Sequence, residues 1–160
     1  MVVAVIVIAS CAAAPGISTA SAATRKPTAC EATPVHPVGE APPAWARARG
    51  PAGTRFVVGQ GDPIVGFLFV DLAPRPRGSR AHNKILWHVK RSRAGDPLLF
   101  RAHRAGSTRV RRWSWPATAQ PGKIYPSYLD VRTAGCWTVE LEWGDDRAVV
   151  TFEIPTLRRT

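Results

Sequence analysis

Residues 137–154 read WTVELEWGDDRAVVTFEI, and this stretch decides the fold. Trp137, Val139, Leu141 and Trp143 fall on one face of an extended chain, and Thr138, Glu140 and Glu142 fall on the other. Successive side chains of a strand point to opposite faces, so this parity marks a strand with one dry and one wet side. Gly144-Asp145-Asp146 supplies turn chemistry. Val150, Phe152 and Ile154 then repeat the apolar set, with Thr151 and Glu153 opposite. Two alternating runs around a short Gly/Asp turn predict a β-hairpin.

Upstream, the same texture recurs. Arg55–Val58 is a short candidate strand, and Ile64–Leu72 (IVGFLFVDL) is a longer one rich in β-branched and aromatic residues. Over Lys84–Lys90, Ile85, Trp87 and Val89 share a face opposite Leu86, His88 and Lys90. Leu98–His103 follows the turn signal Ala94-Gly95-Asp96-Pro97. Val110–Trp115 places Arg111, Trp113 and Trp115 on one side, and residues 116–126 read as a loop bounded by prolines. No stretch carries the 3.6-residue apolar period of a helix, and 15 prolines and 13 glycines disfavour long helices. The expectation is an all-β protein, a β-sandwich of about seven strands over residues 54–155.

Residues 23–53 are rich in Ala, Pro, Thr and Arg without an apolar period, and read as an extended Pro-rich arm or linker. Before them, residues 1–14 (MVVAVIVIASCAAA) are apolar and uncharged, with Pro15-Gly16 next. The run is shorter than the ~20 residues a membrane-spanning helix needs and fits the apolar region of an export signal. Two processing sites compete. Ala20-Ser21-Ala22 would end a signal peptide of residues 1–22, whereas Ile8-Ala9-Ser10-Cys11 resembles a bacterial lipobox, ending the signal at residue 10 and lipidating Cys11. No basic residue precedes Arg25, unlike the usual start of such signals. Residues 156–160 form a short basic tail.

The three cysteines are Cys11, Cys30 and Cys136. With Cys11 inside the signal, Cys30 and Cys136 remain as a pair in an oxidising compartment, where a disulfide is expected.

The string YPSYLDVRTAGCWTVELEWG, from Tyr125 to Gly144, resembles the C-terminal signature of small exported proteins and lipoproteins of unknown function from high-GC Gram-positive and related bacteria. Those chains pair a Tyr/Phe-Pro-Ser segment with a Gly-Cys-Trp element that opens an amphipathic strand. Lys84-Ile85-Leu86-Trp87 is similar to their Lys-x-Leu-Trp strand, and Cys30 to their early cysteine. The resemblance covers residues 84–154 and implies an immunoglobulin-like sandwich at the cell surface. It implies no activity.

The formal net charge is +11, and its distribution is uneven. Twelve bases lie between Arg75 and Arg112 against one acid, Asp96, so the rest of the chain is balanced. A basic surface of this kind attracts anionic cell-wall polymer or membrane lipid head groups. The tentative contact residues are Arg91, Arg93, Arg101, Arg104, Arg109, Arg111 and Arg112, with Trp113 and Trp115 as stacking platforms. Two bland alternatives stand beside this. Eighteen of the 22 bases are arginine, a bias that GC-rich coding also produces, and guanidinium groups also cover tryptophans at a sheet edge.

Catalytic patterns are weak. There is no Gly-x-Ser-x-Gly, and Gly59-Gln60-Gly61 lacks the third glycine of a dinucleotide fingerprint. Asp145-Asp146 reads as a turn and Glu140 with Glu142 as an outward face, settings that do not separate carboxylate pKa values. His36, His82, His88 and His103 are expected to face solvent rather than a metal, although His88 and His103 could meet across neighbouring strands. No nucleic-acid motif is present. The expectation is therefore an exported, non-enzymatic β-sandwich, secreted or envelope-attached. It needs no cofactor or metal, and would touch a membrane only through a lipid anchor. The alternative is an enzyme or accessory domain acting on wall polymer or glycan, with His88, His103 or Asp130 brought beside Trp113 and Trp115.

Overall fold

The computed structural model describes residues 29–47, 51–75, 82–91, 95–117 and 124–156. The signal segment, Cys11, Arg93 and residues 157–160 of the tail lie outside these residues. Nine strands and one short helix are present among the described residues. The first sheet holds β1 (Val35–His36), β2 (Arg55–Val58), β3 (Ile64–Leu68), β4 (Lys84–Val89) and β7 (Ile124–Tyr128), in the order β1-β2-β3-β4-β7. The second holds β5 (Leu98–Arg104), β6 (Val110–Trp115), β8 (Gly135–Trp143) and β9 (Asp146–Ile154), in the order β6-β5-β8-β9. Every pairing is antiparallel, and the two sheets make an all-β sandwich.

The hairpin of the opening stretch forms as read. Trp137 pairs with Phe152, Val139 with Val150 and Leu141 with Ala148, and all six are buried. Gly144 takes a positive φ of 55° at the first turn position, which glycine adopts without steric cost. The inward faces of both sheets make one core. Trp87, Trp143 and Tyr125 are its largest fully buried members. Gly66 lies opposite Trp87 on the neighbouring strand, and a β-carbon there would come within 2.6 Å of the indole. The missing side chain is the space the ring fills. Trp87 Nε1–H donates to Ser127 Oγ at 3.0 Å, which satisfies its one polar group inside the core.

Four expectations need correction. Residues 116–126 are not all loop, because β7 starts at Ile124 and carries Pro126 within it. Proline has no N–H for a ladder, but β7 is the outer strand of its sheet and pairs on one side only, opposite Leu86 at that position. The Ile64–Leu72 run leaves β2 at Leu68, whose partner Arg55 is the first residue of that strand; one further bond runs from the Phe69 N–H to the Lys84 carbonyl at 3.2 Å, and Phe69 and Val70 are exposed. The arm is also part of the sandwich rather than a spacer. Val35 and His36 add β1 to the first sheet, and helix α1 (Ala44–Arg47) covers that sheet's outer face. There Ala46, Phe56, Val65 and Phe67 form a second small core, with Trp45, Val58 and Leu86 at its margin. His88 belongs to this covered face. It is 2% exposed and packs edge-on against Phe67 at 5.1 Å, so it does not face solvent.

The disulfide joins Cys30 to Cys136, 106 residues apart, with the Cα atoms separated by 5.4 Å. It anchors the arm to β8. Thr33 then binds β9 twice. Its N–H donates to the Thr151 carbonyl at 2.8 Å, and its Oγ1 accepts the Thr151 N–H at 2.9 Å. Gln60 N–H adds a bond to the Val149 carbonyl at 3.1 Å. The arm thus crosses from the outer edge of one sheet to the outer edge of the other. This occupies backbone groups that an open edge would offer to another chain.

Candidate functional site

On the opposite side of the sandwich the outer strands are β6 and β7, from different sheets, and the seam between them opens into a cavity of about 500 Å³. That volume lies within the usual range for small-ligand sites. β6 supplies Arg111, Trp113 and Trp115 by the alternation read in the sequence, together with the exposed Arg112. β7 supplies Tyr128, and Asp130 follows it. Arg75 and His82 complete the wall.

The aromatic side of this wall is a ladder of rings. Trp115 meets Tyr128 edge-on at 5.5 Å, and His82 lies tilted against Tyr128 at 4.6 Å. Trp113 stacks on the buried Phe100 at 5.1 Å with planes 11° apart, so the core fixes its orientation. The indole nitrogens of Trp113 and Trp115 are sealed from solvent and have no acceptor among the described residues, although both side chains are only half-buried. What these two rings expose is therefore carbon.

The polar side is a clasp. Asp130 Oδ2 accepts from Arg111 Nη2 at 2.8 Å, and its Oδ1 lies 3.6 Å from Arg75 Nη1. The Arg75 N–H also donates to the Val131 carbonyl at 2.7 Å. Arg112 has no carboxylate partner among the described residues. Among the described residues that line the cavity, three arginines stand against one carboxylate, so their formal charge is net positive. Next to it, the buried Tyr125 hydroxyl donates to the Asp96 carbonyl at 3.1 Å. Burial, and then the nearby Asp96 charge, push this phenol above its ordinary value of 10.0.

The other tentative contact residues do not share this site. Arg101 lies on the outer face of the second sheet, beside Arg112 across the β5–β6 ladder, and bonds Glu140 at 3.1 Å. A smaller cavity of about 360 Å³ there is lined by Arg101 and Arg112 with Glu140 and Glu142, so Arg112 stands at the rim of both cavities. Arg104 packs over Gly135, 3.2 Å from where a β-carbon would sit, and donates to the Ala134 carbonyl at 3.4 Å. Arg109 is exposed in the β5–β6 turn, and Arg91 follows β4, where its carbonyl accepts Trp143 Nε1–H at 3.1 Å. His88 and His103 sit in different sheets and not on neighbouring strands, so of the three groups considered for catalysis only Asp130 reaches the tryptophans. No group of three or more His, Cys, Asp and Glu side chains that could hold a metal ion occurs among the described residues.

Sequence reading missed Arg75, His82 and Tyr128. Tyr128 was hidden by the prolines around it, and the other two lie outside any strand, where parity gives no direction.

No protein-family model and no curated protein matches the chain. Among solved structures, the chain is similar to a candidate lipoprotein from Bacillus anthracis, with 14% identity and a TM-score of 0.48 over 78% of this chain and 86% of that one. No helix among the described residues is long and apolar enough to cross a membrane.

Proposed function

We propose that the protein is an exported, non-enzymatic component of the cell envelope or its surroundings that contacts anionic envelope polymers through its basic segment. The supporting observation is the β6–β7 cavity, where Arg75 and Arg111 engage one carboxylate, with Arg112 at the rim, beside exposed aromatic carbon. Fields of like charge focused in a cleft raise the local concentration of an oppositely charged polymer. The purified disulfide-bonded protein should bind isolated anionic envelope polymer at low salt. It should release it as the Debye length shrinks from about 10 Å at 0.1 M salt to about 3 Å at 1 M. No binding at low ionic strength would sink this reading. The export half rests on residues 1–22, and the intact mass of the protein from its native host tests it. A chain beginning at Ala23 means release, and a lipid-bearing Cys11 means an anchored form. An unprocessed Met1 start overturns export.

One observation favours the enzymatic alternative, namely that Asp130 and His82 share a cavity with Trp113 and Trp115. The binding reading is preferred because Asp130 is the one carboxylate among the described residues that line the cavity and is engaged by two guanidinium groups. Glycoside cleavage ordinarily uses a pair of carboxyl groups. Turnover of wall glycans that disappears in Asp130→Asn would reverse that preference.

A further inference from the structure

Charge alone does not explain how this cavity is built. A purely ionic site for a polyanion needs exposed cations and gains little from rings. Here Trp115 and His82 each pack against Tyr128 along one wall, and Trp113 is fixed by Phe100. The two tryptophans turn carbon outward while their nitrogens are sealed. A flat carbon surface beside guanidinium groups matches a ligand that carries an apolar face and an anion on one small rigid frame. A pyranose ring bearing a carboxylate or a phosphate has both. Its axial C–H face lies on an aromatic ring, and its charged substituent reaches a planar fork of N–H donors.

We infer that the β6–β7 cavity is a recognition site for an anionic sugar unit. This deepens the reading of the protein as a binder of envelope polyanions and rests on it. Trp115 and Tyr128 form the stacking surface, and Arg112, which reaches the rim of the cavity from the opposite face of β6 and has no carboxylate partner among the described residues, takes the anion. Asp130 is the internal counter-charge. It holds the guanidinium groups of Arg111 and Arg75 across the seam and sets the net charge that a ligand meets. A neutral sugar lacks the attraction to Arg112, and a flexible polyanion without rings leaves the stacking surface uncovered.

The test is a titration of the disulfide-bonded protein with small ligands, read on the tryptophan indole N–H signals by 15N NMR. The probes are trigalacturonate, a phosphorylated maltotriose, plain maltotriose, and a capped triglutamate with the same three carboxylates as trigalacturonate. The anionic sugars should bind about tenfold or more tightly than either control, a difference that one aromatic and one charged contact supply together. The Trp113 and Trp115 signals should move first. Whichever anionic sugar binds more tightly identifies the carboxylate or the phosphate as the natural substituent. Trp115→Ala should erase the preference for sugar over peptide. Arg112→Gln, on an exposed side chain that cannot unfold the sandwich, should erase the preference for charged over neutral sugar.

Equal binding of triglutamate and trigalacturonate overturns the sugar inference and leaves polyanion binding standing. Equal binding of maltotriose overturns the assigned role of charge. Binding that neither variant alters, or that moves other tryptophans, places the site elsewhere. Failure of every probe, together with retained salt-sensitive binding to whole polymer, overturns the inference alone. Failure of the polymer as well removes the reading beneath it.

Discussion

The sandwich has two lateral seams of similar size and unlike chemistry. Along the β1–β9 seam the cavity is about 500 Å³ and is lined largely by Ala32, Pro34, Val35, Leu68, Leu72 and Phe152, with an Arg55–Asp71 ion pair at 2.7 Å at its wall. Along the β6–β7 seam the cavity is again about 500 Å³ but carries three arginines and four aromatic side chains, counting His82. The first seam is stitched by the arm, by the Thr33–Thr151 bonds and by the disulfide. The second is spanned by one carboxylate shared between two guanidinium groups. A cross-link and backbone bonds leave nothing to exchange with a ligand. Side-chain ion pairs in contact with water exchange readily, because each contributes little to stability. In this fold, the seam that gives up covalent closure is the one whose lining is charged and aromatic.

Removing the stitch should produce the largest effect. In Cys30→Ala/Cys136→Ala, the lost constraint on a loop of 106 residues is worth about 4–5 kcal/mol by chain entropy. Urea unfolding should show this drop, and exchange protection should fall first along the arm and β9. A double variant as stable as the parent would mean that β1 and Thr33 close the seam unaided. Opening the other seam should cost far less. Asp130→Asn removes a half-buried ion pair worth about 1 kcal/mol or less. Because it raises the net positive charge of the cavity, it should also tighten anionic ligands several-fold by calorimetry. Weaker binding in this variant would show that Asp130 contacts the ligand itself.

Alkaline pH acts on the same side. The phenol of Tyr125 on β7 is raised above 10.0, so the folded state holds that proton more tightly than the unfolded chain. Its contribution is complete below pH 10 and is lost as pH rises through the folded value. Absorbance titration should show the Tyr125 phenol ionising above its ordinary 10.0, and exchange along β7 should quicken in that range before exchange along β9 does. The smallest effect is expected at the Arg55–Asp71 pair, where Asp71 is largely exposed. Asp71→Asn should change stability by about 0.5 kcal/mol or less and leave anion binding unaltered.

The sequence was most legible where one face is wet. The alternation at Trp137–Trp143 and Val150–Ile154 predicted both the hairpin and its inward residues, and the parity of Arg111, Trp113 and Trp115 placed them together. It was least legible where both faces are covered or where pairing is one-sided. β3 is buried along its whole length, so its pattern carries no period, and the alternation of β4 gives His88 the face of Lys90 without showing that Phe67 packs against it there. β7 was hidden by Pro126, which an outer strand tolerates. Cavity residues outside the strands, Arg75 and His82, are brought in by tertiary structure alone, and no local pattern announces them.

The position of the disulfide also determines how the domain bears load. β1 is two residues long and paired on one side, so a pull arriving from the N-terminal direction would peel it away if nothing intervened. Cys30 intercepts that pull before it reaches β1. The tension passes through sulfur into β8, which is held between β5 and β9 by ladders along most of its length. The load then falls on a strand paired on both sides rather than on the two-residue β1, so the β1 pairing is spared while the chain before Cys30 is strained.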